Sequence, residues 1–229
     1  NTGTVNVSNG TFELATGGTD SGNYADSGAG TMLLSGGART LTSSSIADIT
    51  IGGAAVTATG NVNISNLTFS SGFLGGTGTI TVADTFNWAG GTILNATNFT
   101  TSNTATSTLG TTFRLDTSTW NNYGVVNWNG GSADGTSLSD YFYLDGNAVL
   151  NNFGTFNDNT TTATANTVAY IGTGGHTAAV INNSGTWNKT GTGPKTLTRG
   201  TSFNNTGTVN VSNGTFELAT GGTDSGNYA

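Results

Sequence analysis

Apolar residues recur along the chain in pairs separated by a single position, the spacing that puts both side chains on one face of a β-strand. The pairs are Phe12/Leu14, Met32/Leu34, Ile49/Ile51, Leu67/Phe69, Phe86/Trp88, Phe113/Leu115, Phe142/Leu144 and Val168/Tyr170, followed by Leu197 between threonines. The series restarts at Phe216/Leu218, 204 residues after it began. One period therefore holds nine units. Apolar residues at helical spacing with suitable caps are missing throughout, so the chain reads as all-β.

A second column runs between these pairs. Trp120-Asn121-Asn122-Tyr123-Gly124-Val125-Val126, Leu150-Asn151-Asn152-Phe153-Gly154-Thr155-Phe156, Ile181-Asn182-Asn183-Ser184-Gly185-Thr186-Trp187 and Phe203-Asn204-Asn205-Thr206-Gly207-Thr208-Val209 are four copies of one motif, each closed by a further Asn. A motif that returns once per unit, at one phase, is expected of a coil seen turn by turn. Units of roughly 20 residues with two or three short strands predict a right-handed single-chain parallel β-helix, with about nine coils per 204-residue repeat. Its inward columns would be the residues above, with Val168 alone from its pair and with Leu197, together with Trp120, Val126, Leu150, Phe156, Ile181, Trp187, Phe203 and Val209. The asparagines would form amide ladders at a bend, and the motif glycines would supply a corner with φ > 0. A lone coil buries too little apolar surface to offset the entropy of ordering it, so stability must come from neighbouring coils.

The same words open and close the sequence. Residues 1–25 and 205–229 both read NTGTVNVSNGTFELATGGTDSGNYA. We read 1–204 as one complete tandem repeat and 205–229 as the start of the next, excised from a longer polypeptide. Further copies of the repeat in the same chain are then the first expected partners.

Composition narrows the function. Five Lys+Arg against twelve Asp+Glu give a net charge of −7, which disfavours nucleic acid as a partner. No apolar run reaches membrane-spanning length, so no membrane insertion is expected of this segment. Only 7% of residues are charged and there is no cysteine, while 11 Phe, 6 Tyr and 4 Trp occur at regular intervals, unlike a disordered chain. Extra residues in the long units lie at Ser102–Gly110, Gly130–Asp140, Asp158–Asn166 and Lys189–Lys195. The last three follow the asparagine motif directly. They are expected to stack into a ridge for lateral contacts, with Asp134, Asp140, Asp158, Lys189 and Lys195 as its charged members.

Chemistry is sparse. Asp140/Asp145 and Asp20/Asp26 are the carboxylate pairs close enough in sequence to suggest glycoside cleavage, and neither has a basic or aromatic cleft around it. The basic residues Arg39, Arg114, Lys189, Lys195 and Arg199 are scattered. The lone His176 has no second His or Cys to share a metal. No enzyme activity and no cofactor are expected. Calcium is the one ion with a partial motif, at Gly17-Gly18-Thr19-Asp20-Ser21-Gly22, where the aspartate comes too early for a β-roll loop.

The stretches FNNTGTVNVSNGTFELATGGT and GNYADSGAGTMLLSGG resemble the repeats of very large bacterial surface proteins: filamentous-haemagglutinin-like adhesins and autotransporter passengers. That resemblance implies a right-handed parallel β-helix, secretion to the cell surface and an adhesive or fibrous role. The expected function is a structural segment of a secreted, tandem-repeat fibre or adhesin stalk, stacking end to end. Identical copies present identical surfaces, so neighbouring fibres are candidate lateral partners. The alternative is a carbohydrate-binding surface for surface glycans, with Tyr123, Tyr141 and Tyr143 as stacking residues.

Overall fold

The computed structural model describes residues 1–110, 112–130, 141–161, 168–172, 178–193 and 195–229. Alternating apolar positions do form strands, and the strands pair in parallel with the ones a coil away. Among the described residues twenty-four strands make one continuous sheet, wound into a solenoid of about ten turns. There is no helix among the described residues.

Each coil has three walls. Wall A runs through Thr4–Asn6, Asn23–Ala25, Thr119–Asn122, Val149–Asn152, Ala179–Asn183 and Thr201–Asn205. Wall B runs through Asn9–Leu14, Ala29–Leu34, Thr106–Leu109, Val125–Trp128, Thr155–Asp158, Thr186–Lys189, Thr208–Val211 and Asn227–Tyr228. Wall C runs through Gly18–Asp20, Ala38–Leu41, Thr112–Asp116, Tyr141–Asp145, Val168–Gly172, Lys195–Arg199 and Thr215–Leu218. Three long runs, Ser44–Ala58, Asn61–Trp88 and Thr92–Thr101, bend from wall to wall without losing extended backbone.

Inward side chains fill the space between the walls. Trp88, Trp120, Trp128 and Trp187 are fully buried together with Phe69, Phe86, Phe99, Phe113, Phe142, Phe156 and Phe203. Rings meet from coil to coil, as in Phe113–Phe142 at 4.7 Å and Phe156–Trp187 at 4.0 Å. The expected inward residues Met32, Leu34, Ile49, Ile51, Leu67, Leu115, Val126, Leu144, Leu150, Ile181 and Val209 are buried as well. Phe12 occupies its predicted register opposite Met32, yet it is 38% exposed, because its coil has a neighbour on one side only. Leu14 is half-buried for the same reason.

The register corrects the first column in two places. Phe12, Met32, Ile49, Leu67 and Phe86 share wall B, but Phe113 is on wall C. Wall B continues instead through Ser107, Val126, Phe156, Trp187 and Val209. On wall C, Ile171 rather than Val168 stands opposite Phe142, and Val168 pairs with Lys195. Leu197 pairs along the backbone with Tyr170 and Glu217, between the buried Thr196 and Thr198; the side chains of Val168 and Leu197 lie outside the described ones. A one-residue offset exchanges the two faces of a strand.

The motif glycines are required for a different reason from the one expected. Gly124, Gly154, Gly185 and Gly207 are absent from the positive-φ residues. A β-carbon on Gly154 would lie 2.1 Å from the carbonyl oxygen of Gly124, and one on Gly185 would lie 2.1 Å from that of Gly154. These carbonyls are fixed, because each accepts a bond from the following coil, Thr155 N to Gly124 O at 2.9 Å and Thr186 N to Gly154 O at 2.9 Å. Glycine is there because backbone stacks on backbone. Positive φ is used elsewhere, at Gly53, Gly72 and Gly76, where the long runs bend.

Gly154→Ala is expected to force two coils apart and to lower stability by about 2–4 kcal/mol, measured by chemical denaturation. Gly221→Ala, where the new methyl meets nothing within 4 Å, is the matched control and is expected to change stability little.

Candidate functional site: amide ladders and buried charge

Strand alternation turns the second asparagine of each motif inward and leaves the first on the outer side of wall A. Inside, Asn122 Nδ2 donates to Asn152 Oδ1 (2.8 Å), Asn152 to Asn183 (2.7 Å) and Asn183 to Asn205 (2.9 Å). Thr101 Oγ1 donates into the lower end at 2.9 Å. All four asparagines are buried. Outside, the direction reverses. Asn151 donates to Asn121 at 2.8 Å, Asn182 to Asn151 at 2.9 Å and Asn204 to Asn182 at 2.9 Å. A third ladder on wall B links Asn210, Asn188, Asn157 and Asn127 in the same sense, at 2.8–2.9 Å. Each bond contributes about 1 kcal/mol net, and each buried amide left without a partner costs about 1–3 kcal/mol.

Two ion pairs occupy the interior. Asp158 and Lys189 were expected on an outer ridge, but both are completely buried on wall B, in the column that also holds Trp128. They follow the motif asparagine by one position, and that single step carries them inward. Lys189 Nζ lies 3.7 Å from Asp158 Oδ1 and donates to Gly191 O at 3.1 Å. Asp158 also accepts from Thr160 N, Thr160 Oγ1 and Thr196 Oγ1. Every charged atom of this pair has a partner, as burial of charge demands.

The second pair was not anticipated. Asp20 is fully buried and is bonded by Arg39 and by Tyr24 Oη at 2.7 Å. The signal available in the sequence was Arg39 two places before Leu41, on the inward phase of the strand Ala38–Leu41. Burial alone would raise the Asp20 carboxyl, the bonds from Tyr24 and Arg39 pull it down, and the group lies below the ordinary range. Burial, then the bond to Asp20, pushes Tyr24 up to about 12.

The remaining candidates are scattered. Asp20 is interior while Asp26 is half-buried at the rim of a shallow groove, so that carboxylate pair does not form. Asp26 instead shares a hydrogen bond with Asp48, whose carboxyl is raised by burial and by the neighbouring acid. Asp145 pairs with Arg114 at 3.2 Å. Asp134, Asp140 and His176 lie outside the described residues, as does most of the proposed ridge. Lys195 is at the surface, paired with Glu217. Among the described residues no three His, Cys, Asp or Glu gather as a metal site. Of the outer aromatics, Tyr123 and Phe153 stack at 4.7 Å and are 48% and 46% exposed. Tyr141 and Tyr143 stack at 5.1 Å, with the Arg114 guanidinium 5.1 Å from the Tyr143 ring.

No family model, curated protein or solved structure matches the chain.

Lys189→Met is expected to leave Asp158 as an uncompensated buried charge, costing about 3–5 kcal/mol. Asp158→Leu combined with Lys189→Met is expected to recover most of that loss in a double-mutant cycle followed by denaturation. The tyrosine gives a pH test. A folded-state value near 12 against about 10 unfolded means that Tyr24 holds its proton more tightly when folded. Its contribution is complete below pH ~10 and disappears as pH rises through ~12. Thermal stability is expected to fall across that window, and Tyr24→Phe is expected to flatten the fall.

Proposed function

We propose that the chain is a structural block of a secreted, tandem-repeat β-helical fibre or adhesin stalk at a bacterial cell surface. One observation carries this reading: both copies of the 25-residue segment make the same coil-on-coil bonds. Asn1 O accepts from Ser21 N and Gly22 N at 2.9 and 3.2 Å, and Asn205 O accepts from Ser225 N and Gly226 N at 2.9 and 3.1 Å. Val5 pairs with Tyr24 as Val209 pairs with Tyr228. A segment that stacks identically at both ends of a solenoid is suited to joining one copy to the next. Secretion and the surface role rest on the resemblance in repeat style. In this reading the work is mechanical: a continuous wall of parallel strands resists bending and hides its backbone from proteases, while corners and loops face outward.

A second reading has its own observation. The half-exposed Tyr123–Phe153 stack offers flat apolar rings of the kind that sugar rings pack against, and a rod could carry glycan-binding corners along its length.

A polypeptide of two, three or four consecutive 204-residue copies is expected to give unbranched rods that lengthen by about 45 Å per copy in electron micrographs. Separate beads, one per copy, would sink the fibre reading. Retention of the fragment on a glycan array, lost in Tyr123→Ala, would favour the second.

A further inference from the structure

The two identical segments do not lie on the same walls. Thr11-Phe12-Glu13-Leu14 is on wall B, paired with Thr31–Leu34. Its copy, Thr215-Phe216-Glu217-Leu218, is on wall C, paired with Lys195–Thr198. Gly18–Asp20 is on wall C, opposite Arg39–Leu41, whereas Asp224 bridges to Asn205 on wall A. Asn23–Ala25 is on wall A, and its copy Asn227–Tyr228 is on wall B. Every element has moved on by one wall.

The chain of register pairs fixes the count. On wall A the inward positions climb from Val5 through Tyr24, Ile46 and Ile64. The run Asn61–Trp88 then makes a full turn, with Thr79 N donating to Gly60 O, and returns to wall A at Val82. The climb continues through Thr101, Asn122, Asn152 and Asn183 to Asn205. That is nine coils, and Val209, the copy of Val5, lies one wall further on, stacked on Trp187 of wall B. The 204-residue block thus spans nine coils and a third.

We infer that consecutive copies in the array are displaced by one wall, so that each surface feature appears on walls A, B and C in rotation and returns to its starting wall only after three copies. This rests on the tandem-array reading above. The backbone bonds within the shared segment are the same in both copies, so the displacement leaves the seam unchanged and is reproduced at every junction. Three copies make 28 coils, an axial period of about 130 Å. The exposed Tyr123–Phe153 corner, present once per copy, is therefore offered in three directions, and lateral partners are received on all sides of the rod.

The chain contains no cysteine, so introduced thiols report cleanly. In the single block, Asn188→Cys with Asn210→Cys, register partners on wall B, is expected to form a disulfide on mild oxidation. Asn204→Cys with Asn210→Cys is expected to stay reduced, since these residues lie on different walls. The reverse pattern would overturn the displacement itself. In a four-copy polypeptide with Tyr123→Cys at each equivalent site, gold labels are expected to shift edge from copy to copy and to recur on one edge about every 130 Å. A single row of labels every ~45 Å would overturn the rotation. A four-copy chain that fails to form a rod would overturn the array reading, and the cross-links in the single block would still report the displacement.

Discussion

Each coil sits one strand spacing, about 4.8 Å, above the last, and that distance governs everything else in the molecule. At this spacing a residue's nearest non-local neighbour is the residue directly above or below it. Like then favours like: asparagine bonds asparagine, ring packs on ring, and a corner at which carbonyl meets backbone leaves room for no β-carbon. Gly154 and Gly185 show the last case, each closed against the glycine carbonyl of the coil before. The repetition visible in the sequence is the imprint of this contact, made over and over.

Stacking like on like has a weakness, because apolar columns alone tolerate sliding by a coil or by two residues. The polar interior removes that freedom. Each rung of the inner ladder needs an amide donor below and an amide oxygen above, and the outer ladder runs in the opposite sense. Asp158 finds Lys189 and Thr196 only in one register, and Asp20 finds Arg39 only in one. A slip would strand buried charge or buried amides, at several kcal/mol for each ion pair broken. Apolar burial drives winding. Polar pairing decides which coil rests on which.

Much of this was legible from the chain, for reasons that also mark where legibility stopped. Paired apolar residues and the four asparagine motifs identify strands, because alternation and stacking leave direct traces. Walls leave none: Phe86/Trp88 and Phe113/Leu115 look equivalent in sequence, and the chain turns a corner between them. Following the pairs across that corner yields nine whole coils, and the extra third disappears. Asp158 and Lys189 looked like loop residues because charge is rarely buried. Their partners came from coils 31 residues apart, beyond the reach of local pattern.

The fractional coil count has a mechanical meaning. Coil length is uneven: steps of 30 and 31 residues separate Asn122, Asn152 and Asn183, while 22 separate Asn183 from Asn205. In the tandem array proposed above, a block of whole coils would set each exposed corner on the same side in every copy, whereas a third of a coil carries it to the next wall. Exposed rings such as Tyr123 and Phe153 are then spaced far apart along any one edge, which limits edge-to-edge sticking between rods. The same offset leaves the core undisturbed, because parallel stacking requires only that each strand meet its neighbour in register. Sequence identity between copies is thus compatible with a surface that turns.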